Sequence, residues 1–145
     1  MEIQESILQQ LTQTFLSNDY EQGFLLGSTS CLEQLDCCHQ VAPARASMQF
    51  YTPDANEANK IIANWVEKNI CFCGFIHSHV VEKKDLSQND IEFAQLLFSA
   101  YQLPVLWFGL GIVEQDEVHF RFYSVTSNKG DIDITSVCWK IGGQK

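Results

Sequence analysis

The chain opens on an apolar spacing of three and four. Ile3, Ile7, Leu8, Leu11 and Phe15 recur with polar residues between them, which predicts an amphipathic helix over residues 2–17. Ser17-Asn18-Asp19 ends it, and the pattern changes period. GFLLGS (23–28) is a short apolar run between glycines and reads as a buried strand. CLEQLDCCHQV (31–41) reads as the next strand, with Ser28-Thr29-Ser30 short enough for a hairpin between the two. After a loop over 43–47, MQFY (48–51) is a brief strand. Pro53-Asp54 then opens a second helix through about Lys68, with Ala58, Ile61, Ile62 and Trp65 along one face.

The unbroken apolar run ICFCGFIH (70–77) suits a central strand covered on both faces. VVEKKDL (80–86) is polar and loop-like. Ser87 starts a third helix to about Tyr101, with Ile91, Ala94, Leu97 and Phe98 inward. LPVLWFGLGI (103–112), EVHFRFYSV (117–125) and DIDITSV (131–137) follow as strands, the second alternating cleanly. The order of helix, strands, helix, strand, helix and strands predicts an α/β (α+β) fold, a curved mixed sheet flanked by helices. No repeat, low-complexity tract or linker divides it, so residues 1–145 read as a single domain.

Composition narrows the partners. With 18 acidic against 9 basic side chains and a net charge of −9, the chain lacks a basic stripe to neutralise phosphates, which argues against nucleic acid and anionic membranes. The N-terminus has glutamates and glutamines where a signal peptide needs a basic start and an apolar block, and no segment reaches membrane-spanning length. The expectation is a soluble cytoplasmic protein. Its six cysteines (Cys31, Cys37, Cys38, Cys71, Cys73, Cys138) lack the paired two-residue spacing of a structural zinc site and read as reduced filler of core and strands.

The candidate chemistry lies in CGFIHSHVVEKKDLSQND. In a strand, residues two apart share a face, so His77 and His79 present both imidazoles in one direction. Asp90, in the first turn of the third helix, supplies a third donor if the loop folds back. Three protein ligands and a water make an open zinc site. Ser87-x-x-Asp90 is also close to a helix capping box, and cap and ligand can share one helix start. The whole pattern His-x-His-x7-Ser-x2-Asp should arise by chance in roughly one chain in several thousand. His39, beside the cysteines, and His119, in an alternating strand, read as ordinary surface or partnered histidines.

HSHVVEKKDLSQND, with its Gly-x-x-His-Ser-His approach, resembles the motif of the JAMM (MPN+, JAB domain) metalloproteases, zinc isopeptidases that remove ubiquitin and ubiquitin-like modifiers. The element order matches over residues 1 to about 137. The resemblance implies the JAB/MPN (cytidine-deaminase-like) fold, one catalytic Zn2+ held by His77, His79 and Asp90, and Ser87 stabilising the oxyanion of the substrate carbonyl. It also implies a substrate bond after the C-terminal tail of a ubiquitin-like or sulfur-carrier protein, in a minimal prokaryotic-type domain. The family places its general base, a glutamate, three residues before one glycine and seven before a second. Here, in DYEQGFLLGS, Glu21 stands two and six residues before Gly23 and Gly27. If the glycines set the register, Tyr20 takes the base position. If the acid sets it, Glu21 is the base, which is the assignment preferred because a carboxylate is what the chemistry needs; Asp19 is a weaker substitute. Val80 stands where the family commonly has proline. The competing readings are a catalytically impaired MPN-type scaffold or binding module and, third, a RadC-like protein.

Overall fold

The computed structural model describes residues 1–17, 20–30, 33–46, 51–80 and 85–142. Among these the chain runs β1 (Glu2–Gln4), α1 (Glu5–Leu16), β2 (Gly23–Ser28), β3 (Gln34–Leu35), β4 (Cys37–Val41), β5 (Pro43–Ala46), β6 (Tyr51–Pro53) and α2 (Ala55–Glu67). It continues through β7 (Cys71–Val80), α3 (Gln88–Tyr101), β8 (Leu106–Glu114), β9 (Glu117–Asn128), β10 (Asp131–Val137) and β11 (Lys140–Gly142). Six strands form one mixed sheet in the order β10-β9-β8-β7-β2-β4, with β7 and β8 parallel and the other neighbours antiparallel. The predicted α+β architecture with a mixed sheet is the one observed.

Both faces of the sheet are covered. α1 buries Ile7, Leu8, Leu11 and Phe15 against Phe24, Leu26, Ile76, Trp107 and Phe122. On the other face, Ala58, Ile61, Ile62 and Trp65 of α2 and Ala94, Leu97 and Phe98 of α3 cover Leu25, Phe75 and Phe108. Each such large apolar side chain contributes about 1.5–3 kcal/mol by leaving water, so the helical stripes legible in the sequence are what seat the helices. Each of the last two helices has a side-chain cap: Asp54 accepts from Glu57 N–H at the start of α2, and Ser87 caps α3. No helix among the described residues is long and apolar enough to cross a membrane.

Besides β5 (Pro43–Ala46), a strand paired with β6 where a loop was expected over 43–47, four details differ from the sequence expectation. The first helix begins at Glu5, because Glu2–Gln4 pairs in parallel with both β3 and β11. The strand expected over 31–41 breaks at Asp36, whose carboxylate turns back to accept from the N–H and hydroxyl of Thr29. The strand expected at 48–51 falls largely outside the described residues, its end being Tyr51 in β6. β11 was not foreseen.

A fifth feature bears on the site. In β7, Leu26 faces Gly74 and Gly27 faces Phe72, so Cys73 is one extra residue against β2. Phe72 faces α2 and α3; without the bulge, alternation would turn Phe75, His77 and His79 toward α1. The extra residue inverts the phase and sends them to the side of α3.

Candidate metal centre

Three elements converge at one end of the α3-covered face. β7 supplies His77 and His79, the approach to β2 supplies Glu21, and the first turn of α3 supplies Asp90. All four are buried. Alternation accounts for the first three: Gly23 pairs with His77, so Glu21, two residues earlier, falls on the same face as both histidines. Asp90 arrives because the capping box fixes it. Its N–H donates to Ser87 Oγ at 3.2 Å, and its Oδ2 accepts from Ser87 N–H at 2.8 Å.

The side chains meet through their polar atoms. His77 Nε2 lies 2.9 Å from Asp90 Oδ1, and His79 Nε2 lies 3.1 Å from Asp90 Oδ2. Glu21 Oε2 is 4.0 Å from His77 Nδ1, and ligand atoms of Glu21, His77 and His79 all fall within 4.8 Å of one another. The imidazoles stand edge to face with centroids 4.6 Å apart. Phe75 and Phe108 pack around His77 at 6.0 and 5.7 Å.

Electrostatics keep this cluster in ligand form. Burial holds His77 below the ordinary imidazole value, against the opposing pull of the Asp90 bond, so at neutral pH its ring is uncharged. For Asp90, burial alone would raise the carboxyl; hydrogen bonds from His77 and His79 reverse this and hold it well below the usual carboxylate range.

The donor set fits a divalent transition metal: ligand atoms of Glu21, His77 and His79 lie in mutual reach, Asp90 lies against both imidazoles, and all four side chains are buried. The separations of 2.9 and 3.1 Å are a few tenths shorter than the ~3.3 Å edge of a tetrahedron with bonds of 2.0–2.1 Å. Small outward movements of side chains would therefore admit the ion in place of the protons the carboxylate now shares.

The structure thus brings His77, His79, Asp90, Ser87 and Glu21 together. Tyr20, the alternative in the glycine-set register, is 56% exposed and lies outside the cluster, and Asp19 falls outside the described residues. Gly27 has its own reason to be glycine: a Cβ there would sit 2.8 Å from the Trp65 ring. Its distance from Glu21 is therefore not a rule the site imposes. His39 and His119 are exposed, and neither joins the Glu21-His77-His79 group; His119 lies instead near Glu114 and Glu117. Val80 ends β7. Sequence reasoning missed Ser78, the residue between the histidines, which is buried on the opposite face and bonds Gln22 twice. Its signals were a hydroxyl in a strand otherwise apolar on that side and its place in the Gly-x-x-His-Ser-His approach. Next to the centre, Leu25, Phe75, Phe93, Leu97 and Tyr101 line an apolar cavity of about 240 Å³ between α2 and α3.

No family model matches the sequence, and no curated protein matches it. Solved structures share its fold. The solution structure of protein DSY2949 from Desulfitobacterium hafniense is 14% identical with a TM-score of 0.70, over 97% of this chain and 92% of that one. A protein from Salinibacter ruber is 18% identical with a TM-score of 0.60, over 99% and 92%. The JAB1/MPN domain protein AF2198 from Archaeoglobus fulgidus is 16% identical with a TM-score of 0.56, over 97% and 98%. The chain therefore has the fold of a JAB1/MPN domain, with a buried Glu-His-His group able to hold a metal ion.

Proposed function

We propose that the protein is a zinc-dependent peptidase or isopeptidase that hydrolyses the amide bond after the C-terminal tail of a ubiquitin-like or sulfur-carrier protein. The observation carrying this reading is the buried Glu21-His77-His79-Asp90 cluster on a JAB1/MPN fold. Two carboxylates beside two imidazoles exceed what a structural cap needs and match what hydrolysis needs.

His77, His79 and Asp90 would hold the ion. When bound, zinc lowers the pKa of its water toward neutrality and polarises the scissile carbonyl. Glu21, next to His77, takes a proton from the attacking water as its oxygen bonds the carbonyl carbon. Glu21 then gives that proton to the nitrogen as the carbon–nitrogen bond breaks. Ser87 Oγ accepts from Asp90 N–H, which leaves its own O–H to donate to the developing oxyanion. The apolar cavity beside Phe75 offers an extended tail a place for one bulky side chain, since residues two apart on an extended chain share a face. The carboxylate of Glu21 beside the histidines favours this enzyme reading over the scaffold reading.

The test is cleavage of a ubiquitin-like protein ending in Gly-Gly and fused to a reporter. Zinc-loaded protein should release the reporter, chelator should stop it, zinc should restore it, and His77→Ala should lack both metal and activity. Cleavage unaffected by chelation, or retained by His77→Ala, would remove the metallopeptidase reading.

A further inference from the structure

The β2–β7 ladder ends on an irregular rung. Ser78 N–H donates to the Gln22 carbonyl at 2.9 Å, as in any antiparallel pair. The return bond does not go to the Ser78 carbonyl, as a regular hydrogen-bonded pair would require. Gln22 N–H donates instead to Ser78 Oγ at 2.8 Å. One buried residue, 4% exposed, thus holds both backbone groups of Gln22, through its amide and its hydroxyl. Regular pairing of β2 starts only at Gly23, so this clamp fixes the backbone where the chain enters the sheet. Glu21 is the next residue, and Ser78 is flanked in sequence by His77 and His79.

From this geometry we infer that Ser78 is a positioning residue for Glu21. Its side chain points away from the imidazoles and touches none of them, but its hydroxyl and amide tie the backbone beside Glu21 to the strand segment that carries both histidines. The carboxylate is thereby held at its 4.0 Å approach to His77 Nδ1. The link also explains why the acid rather than the glycines sets the register: Gln22 is seated by Ser78, and Glu21 follows. Without the hydroxyl, Gln22 N–H loses its acceptor and the Gln22 backbone keeps one of its two bonds to Ser78, the amide-to-carbonyl bond. A buried donor left unsatisfied relaxes by moving toward another acceptor, and Glu21 moves with it. The inference rests on the proposed role of Glu21 for its catalytic consequence, but not for its structural one.

The experiment compares zinc-loaded parent, Ser78→Ala, Ser78→Thr and Glu21→Gln, with Ser78→Cys, similar in shape but a weak acceptor, as a second disruption if alanine destabilises the fold. Three readouts are taken: the nitrogen chemical shift of His77 Nδ1, amide exchange at Gln22, and kcat and KM on the Gly-Gly-ended fusion. Ser78→Ala should keep its zinc, move the His77 Nδ1 shift toward that of Glu21→Gln, and speed exchange at Gln22. It should lower kcat by about 10- to 100-fold, the usual effect of removing a supporting group around a metal site, with KM near the parent value. Ser78→Thr, which keeps the hydroxyl, should restore all three. A parental His77 shift and parental kcat in Ser78→Ala would overturn the inference, as would a Ser78→Thr protein as displaced as the alanine variant. If the parent cleaves no fusion, the proposed function fails on its own, and the His77 shift with Gln22 exchange still decides the clamp.

Discussion

Asp90 serves as both helix cap and candidate metal ligand, and replacing it separates the two roles. In metal-free protein, Asp90→Ala removes the acceptor of Ser87 N–H and the shared acceptor of His77 and His79. The lost cap costs about 1 kcal/mol. Leaving two buried ring nitrogens without their acceptor costs about 1–3 kcal/mol each. Release of a buried carboxylate offsets part of this, so the net loss is about 2–4 kcal/mol. At an unfolding entropy of about 2.1 cal/mol/K per residue, a chain of 145 residues shifts by about 3 °C per kcal/mol, giving a fall in Tm of roughly 6–12 °C. Zinc then supplies the second comparison. At a free concentration of 100 times Kd a ligand stabilises by about 2.7 kcal/mol, so the parent should gain roughly 8 °C. Ser87→Ala should lose about 1 kcal/mol, yet keep the whole zinc gain, because Ser87 N–H still donates to Asp90 Oδ2. Asp90→Ala should lose most of that gain. Differential scanning calorimetry after chelation, with and without added zinc, measures all of this. A full zinc-induced rise in Asp90→Ala would reduce Asp90 to a cap and refute the ligand assignment.

Two further predictions concern the scaffold. Burial, with smaller contributions from Cys71, Asp36 and Cys37, pushes the Cys73 thiol up to about 12, so the folded state resists ionising it. Stability from this group is complete below the ordinary thiol value and declines as pH rises from there toward 12. Parent protein in reductant should lose up to about 1.4 kcal/mol per pH unit in that window, seen as a falling urea midpoint, and Cys73→Ala should have a shallower decline; equal slopes would contradict it. Gly74→Ala places a Cβ 2.5 Å from the Trp107 carbonyl oxygen, a backbone atom that cannot rotate away. It should cost about 3 kcal/mol by overpacking the β7–β8 pair, read as a lower urea midpoint, and a neutral effect would mean the parallel pair is looser than described.

Much of this arrangement was legible before the structure because it rests on local rules. The 3.6-residue stripes of α1 and α2, the unbroken run of β7 and the Ser87-x-x-Asp90 helix start are each written within a dozen residues. What escaped depends on distant partners. β1 and β11 are three residues long and exist because they pair with each other, β1 also pairing with β3, so no periodicity betrays them. The bulge at Cys73 is set by how β7 lies on β2, and the apolar run around it reads the same in either phase. His-x-His showed that both rings share a face but not which one. The displaced glycines near Glu21 made the base ambiguous; what puts Glu21 on the face of the histidines is the register of β2 against β7, a pairing of distant segments.

The central claim is that the buried carboxylate and histidines form a working hydrolytic centre, and Glu21→Gln tests it most directly. Substitution keeps the size of the side chain and leaves His77, His79 and Asp90 in place. Metal content and single-turnover cleavage of the Gly-Gly-ended fusion are measured on the same samples. The account predicts parental zinc content with cleavage slowed by about 10²- to 10⁴-fold, the range for losing a general base. Equal cleavage by the variant, or a zinc-loaded parent that leaves the fusion intact, would contradict it.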